Sequence, residues 1–79
     1  MNKEDVAKFA YRIAAHNERI VITFKNNTTH TGHFYNNTKL IDKVDNTWNF
    51  VIPASVGEKP QVFVLNGDDI ESIKKIQLF

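Results

Sequence analysis

Seventy-nine residues with no cysteine make one small domain without disulfide staples or thiolate metal sites. Ten basic and nine acidic side chains give a net charge of +1, and Lys74-Lys75 is the one adjacent basic pair, which argues against a partner held mainly through phosphates. A chain this short buries only about 60 to 65% of its unfolded surface, so a single modest core is its limit and self-association would add to it.

Residues 1–19 carry charges throughout and lack the uninterrupted apolar run of a signal peptide, and no segment approaches the roughly 20 apolar residues of a membrane span. These features predict no membrane association and a cytoplasmic location. The Asn-x-Thr sequences at Asn26, Asn27 and Asn36 then read as polar turn residues rather than glycosylation sites.

The chain opens with a predicted helix over about 3–16. Val6, Phe9, Ala10, Ile13 and Ala14 fall on one stripe, Asn2 can cap the start, Glu4 and Asp5 suit the first turn, and Asn17 is a stop. The stripe suits a roof over one end of a sheet; an alternative use is filling a partner's groove. Ile20, Ile22 and Phe24 then alternate with Val21, Thr23 and Lys25 as a half-buried strand, and Asn26-Asn27 is the expected two-residue hairpin turn, with Asn27 left-handed. Thr28 to Tyr35 is the return strand. Gly32 within it marks a bulge or sharp bend.

The polar connection Asn36 to Val44 reads equally as prolonged strands or as a loop. Trp48, Phe50 and Ile52 alternate as a third strand ended by Pro53. Residues 54–60 are punctuation, and Gln61 to Leu65, apolar on both faces, predicts a strand covered on both sides, either within the domain or by a neighbouring subunit. Asn66-Gly67-Asp68-Asp69 is a sharp turn, and Ile70, Ile73, Ile76 and Leu78 lead into a last strand. The expected fold is mainly β: a small, strongly bent, five-stranded antiparallel barrel over about 19–79 behind an N-terminal α-helix, one domain over 1–79. Its expected core is Ile20, Ile22, Phe24, Phe34, Trp48, Phe50 and Ile73, roofed by Val6, Phe9 and Ile13.

Catalysis finds little support. His30 and His33 are three apart on a strand and so face opposite sides, a poor metal pair; His30, in phase with Phe34, reads as a half-buried core histidine bonded to backbone. Asp42, Asp45, Asp68 and Asp69 are loop carboxylates without a nucleophile motif, and three dispersed glycines make no phosphate cradle. No enzyme, cofactor or metal site is expected.

Three stretches together resemble the Sm/LSm/Hfq family. Ile22-Thr23-Phe24-Lys25-Asn26-Asn27, followed by Gly32, is similar to the start of that family's first motif, with Asn27 in place of the turn glycine. Asp45-Asn46-Thr47-Trp48-Asn49-Phe50-Val51-Ile52 fits its Asp-x-x-apolar-Asn-apolar-Val-apolar run. Leu65-Asn66-Gly67-Asp68-Asp69-Ile70-Glu71-Ser72-Ile73 resembles its second motif, with Asn66 where the family has arginine. The connection from Gly32 to Asp45 is several residues longer than in the family.

The resemblance implies a ring of subunits joined through Gln61–Leu65 and Ile73–Leu78, and single-stranded RNA held at its inner rim. Thr47 falls at the base-stacking position, Asn49 at the base-edge reader, Asn66 at the guanidinium position, and Gly67 and Asp68 support them. A stacked base is worth about 1 to 3 kcal/mol, and neither Thr47 nor Asn66 offers a plane to stack on. Asp69 adds negative charge beside Asp68. Two expectations therefore stand: a non-catalytic Sm-like module binding single-stranded RNA on a homo-oligomeric ring, or the same module serving protein interaction or structural assembly without nucleic acid. Asn49 also reads as a polar outward strand residue, and Gly67-Asp68 as ordinary turn chemistry.

Overall fold

The structure, a computed structural model, describes residues 1–11, 18–54 and 56–77. It is mainly β, with one N-terminal helix and a five-stranded antiparallel sheet. The elements are α1 (Lys3–Ala10), β1 (Glu18–Phe24), β2 (Thr29–Phe34), β3 (Thr47–Ile52), β4 (Gln61–Asn66) and β5 (Ile70–Gln77), and the strand order is β4-β3-β2-β1-β5.

Helix α1 starts where its residues dictate. The Asn2 side chain accepts from the Asp5 N–H at 2.9 Å, and Glu4 and Asp5 occupy the first turn, where carboxylates oppose the helix dipole. Val6 is fully buried, and Phe9 and Ala10 pack half-buried beside it. Ile13, Ala14, His16 and Asn17, expected to continue and end this helix, lie outside the described residues. Tyr11 is the C-cap; its hydroxyl donates to the Thr38 carbonyl at 2.6 Å and its ring meets Trp48 edge-on at 5.8 Å.

The β1–β2 hairpin corrects the expected two-residue turn. Phe24 N–H donates to the Thr28 carbonyl and Asn27 N–H to the Phe24 carbonyl, which makes a three-residue loop, Lys25-Asn26-Asn27. The left-handed residue is Asn27 (φ 69°), as the sequence suggested. Asn26 fixes the loop by accepting from the Thr28 N–H and hydroxyl. Because a left-handed backbone crowds a Cβ, Asn27→Ala is expected to lower unfolding free energy by about 1 kcal/mol, and Asn27→Gly to leave it unchanged or slightly raised. Urea denaturation of the two variants checks this; a clear loss in the glycine variant would contradict the left-handed assignment.

Gly32 is where the sheet bends. Residues 29–32 of β2 pair with β1, from Thr23↔Thr29 to Ile20↔Gly32, whereas His33 and Phe34 pair with Val51 and Phe50 of β3. At this changeover β3 approaches so closely that a Cβ on Gly32 would overlap the Val51 carbonyl oxygen. The bend folds the sheet over itself. Phe63 of β4 stacks on His30 of β2 at 5.3 Å although the two strands are not neighbours, and Phe24 meets His30 edge-on at 5.4 Å.

Inside the fold lie Ile20, Ile22, Trp48, Phe50, Leu65, Ile70 and Ile73, closed by Val6. Phe24 and Phe34, expected in the core, are half-buried against it, while Leu65 and Ile70 are buried additions, and Val51 is buried on the opposite, outer face. The sheet is not closed: β4 and β5 are its two edges and do not pair with each other. In β4, Phe63 and Leu65 face inward, while Val62 and Val64 are 62% and 73% exposed, so a single chain covers one face of this strand and leaves the other open.

The connection 35–46 is a loop with a 3₁₀ turn at Leu40–Asp42, not a prolongation of strands. Asn36 is left-handed (φ 49°), and the Asn37 side-chain amide then pairs with the backbone of Asn49, accepting from its N–H at 2.6 Å and donating to its carbonyl at 3.1 Å. That amide continues the β2–β3 ladder after the chain has left it. No helix among the described residues is long and apolar enough to cross a membrane.

Candidate functional site

The residues suggested as a nucleic-acid site come from the start of β3 and the β4–β5 turn. Thr47 and Asn66 are cross-strand partners, so they stand side by side on the face opposite the buried pair Trp48 and Leu65. Gly67 follows at once because its N–H donates to the Asn46 carbonyl at 2.7 Å. It opens the 3₁₀ turn Gly67–Asp69, which the Asn66 side chain caps by accepting from the Asp68 N–H at 3.0 Å. Asn49 is opposite Val64, one outward-facing pair further along the sheet.

Most of these side chains are already engaged. Thr47 donates its hydroxyl (2.6 Å) and its N–H (3.1 Å) to Asp45. Asn49 donates to the Asn36 carbonyl at 3.4 Å, away from the turn. Asp68 accepts from the Asn46 amide at 3.1 Å. The structure thus brings Thr47, Asn66, Gly67 and Asp68 together, and ties the Asn49 amide to the β2–β3 connection.

Asn46 organises this corner, and it was not among the residues singled out from the sequence. Its oxygen accepts from the Trp48 indole N–H at 2.7 Å, and its nitrogen donates to the Met1 carbonyl at 2.8 Å as well as to Asp68. The Met1 amine donates in turn to the Gly67 and Ile70 carbonyls. A Cβ on Gly67 would run into the Asn46 side chain, so the two residues fit only as this pair. The available signal was chemical: a buried tryptophan needs an acceptor for its N–H, and a polar residue two positions away can supply it. Asn46→Ala leaves that N–H buried without a partner and is expected to cost about 1 to 3 kcal/mol. Guanidinium denaturation checks it; a loss below about 0.5 kcal/mol would mean another group satisfies the indole.

The electrostatics are mixed. The Thr47 hydroxyl, then its backbone N–H, holds the Asp45 carboxyl below its ordinary range, with smaller help from Lys43 and Lys3. Asp45, bonded to Thr47, and Asp68, bonded to Asn46, both border this corner. Lys43 faces them only in part, its ammonium lying 4.2 Å from the Trp48 ring centroid. Thr47 and Asn66 themselves offer no guanidinium or aromatic plane for a base to stack on. His30 is half-buried between the rings of Phe24 and Phe63, and among the described residues no three His, Asp or Glu side chains gather as metal ligands.

Comparison with protein-family models, with curated proteins and with solved structures finds no match. What distinguishes the molecule is then its own geometry: an acidic, self-bonded corner and two sheet edges. The edge strand β4 carries Val62 and Val64 on its outer face, and β5 carries Lys74 and Lys75, exposed, ahead of the half-buried Ile76.

Proposed function

We propose that this chain is a non-catalytic, Sm-like module whose primary act is assembly: β4 of one copy pairs with β5 of the next, head to tail, into a closed ring of strongly bent, barrel-like subunits. The observation that carries the reading is the pair of open edges at opposite ends of one bent sheet, one of them bearing exposed Val62 and Val64. An open apolar edge is a template for another strand, and a heterologous contact that closes removes every edge at once. The motif resemblance supports the same strands, Gln61–Leu65 and Ile73–Leu78, Leu78 lying outside the described residues. Such a module works as a structural or protein-interaction ring, and its chemistry suits the cytoplasm.

Light scattering at micromolar concentrations is expected to report a homo-oligomer. Val64→Lys places a charge on the exposed face of the edge, where the folded monomer tolerates it, and is expected to shift the protein to monomer with unchanged circular dichroism. A monomer for the unmodified protein would sink this reading.

Single-stranded RNA at the ring's inner rim is a second reading, favoured by the convergence of Thr47, Asn66, Gly67 and Asp68 at one corner with Asn49 on the same face. Against it stand the bonded Asn49 amide, the carboxylates and side chains at Thr47 and Asn66 that offer no stacking plane. A fluorescent oligouridine or oligoadenine that binds the oligomer, and loses affinity with Asn49→Ala, would establish it. No binding at low salt would leave assembly alone.

A further inference from the structure

The outer face of the sheet carries a groove that belongs neither to the rim corner nor to the core. His33 of β2, Val51 of β3 and Val62 of β4 are successive cross-strand partners, so they form one row running across three strands to the β4 edge. Tyr35, Pro53 and Pro60 wall the row into a concavity of about 400 Å³. Val51 is only 7% exposed although it faces outward, because those walls stand over it, while Tyr35 and Val62 are 56% and 62% exposed. No acidic or lysine or arginine side chain lines the groove, which suits an apolar occupant and not a phosphate or a charged peptide.

We propose that this groove receives the apolar segment that follows β5 in a second copy of the chain, Leu78-Phe79; the proposal rests on the β4–β5 assembly proposed above. Every strand pairing among the described residues is antiparallel. A second copy's β5 laid antiparallel along β4 runs toward Gln61 as it proceeds from Ile70 to Gln77. In the register proposed, the last six residues of β5 lie along the six of β4 from Asn66 back to Gln61, so that Gln77 comes level with Gln61. The next residue of the incoming chain then stands beside Pro60, at the open side of the groove where the His33–Val51–Val62 row reaches the edge. In this register Ile76 lies level with Val62, and alternation puts Leu78 on the same outward face. The groove and the segment that reaches it are both apolar.

The chain has no cysteine, so single-cysteine variants report the contact directly. Leu78→Cys mixed with Tyr35→Cys under mild oxidant is expected to give disulfide-linked dimers at least about tenfold faster than Leu78→Cys mixed with Thr47→Cys, at the far end of β3. Equal rates, or a faster reaction with Thr47→Cys, as parallel pairing would produce, overturn the proposal. Removal of Leu78-Phe79 is expected to raise the dissociation constant of the oligomer about tenfold or more, since two apolar side chains lose their burial. An unchanged constant also overturns it. Light scattering separates the two failures: a monomeric unmodified protein defeats assembly and groove together, whereas an oligomer without the Tyr35 cross-link defeats the groove occupancy alone.

Discussion

Gly32→Ala is expected to abolish the native fold or to lower its stability by at least about 3 kcal/mol. The added Cβ would occupy the position of the Val51 carbonyl oxygen and press on the Phe50 ring at 3.1 Å, and one of those neighbours is backbone within a ladder. A flexible side chain can swing away, but a strand carbonyl moves only if the β2–β3 register moves, and overpacking costs about 1 to 3 kcal/mol even where side chains can adjust. The register here is short, His33↔Val51 and Phe34↔Phe50, so displacing it releases β3 from β2. Thr31→Ala, one residue earlier on an exposed position, is expected to change stability by no more than about 0.5 kcal/mol. Urea titration of the pair, followed by tryptophan fluorescence from Trp48, checks the contrast. A Gly32→Ala protein as stable as Thr31→Ala would mean that the bend is not set by this close approach.

How legible the molecule was in its sequence depended on the range of the interaction concerned. Local periodicity placed five strands and the helix start, because alternation in Ile20-Ile22-Phe24 and Trp48-Phe50-Ile52 follows directly from which face meets the core. Gly32 was readable as a bend because glycine inside a β-branched run has few other uses. The hairpin loop came out one residue longer than expected: Asn27 is left-handed, yet Phe24 closes the turn, and Lys25 carries no sign of belonging to a loop. Alternation could not say that Val62 and Val64 face solvent, since an apolar outer face looks the same whether a partner covers it or not. Motif spacing singled out Thr47, Asn66, Gly67 and Asp68, which the fold places at one corner, whereas the long-range bonds around them, Asn49 to Asn36 and Asn46 to Asp68 and Met1, join positions 13 to 45 residues apart. No local pattern encodes such pairs.

The second large effect belongs to the centre of the core, where Phe50→Ala is expected to cost about 3 to 5 kcal/mol. Phe50 is fully buried and stands in register with Phe34 on β2 and Phe63 on β4, so one inward-facing row of three aromatic rings spans the strands that the bend must hold together. Its ring meets Phe34 edge-on at 5.2 Å and reaches the floor left open by Gly32. Truncation removes the burial, the edge-to-face contact and the support beneath both neighbours at once, and a strand pinned on two sides cannot collapse to fill the space. Phe50→Leu keeps most of the volume and is expected to cost only about 1 to 1.5 kcal/mol. Guanidinium unfolding of both variants measures the difference. If Phe50→Ala loses less than about 1 kcal/mol, the aromatic row does not hold the two halves of the sheet together, and the bent architecture would have to rest on the other buried residues, Val6, Ile20, Ile22, Trp48, Leu65, Ile70 and Ile73.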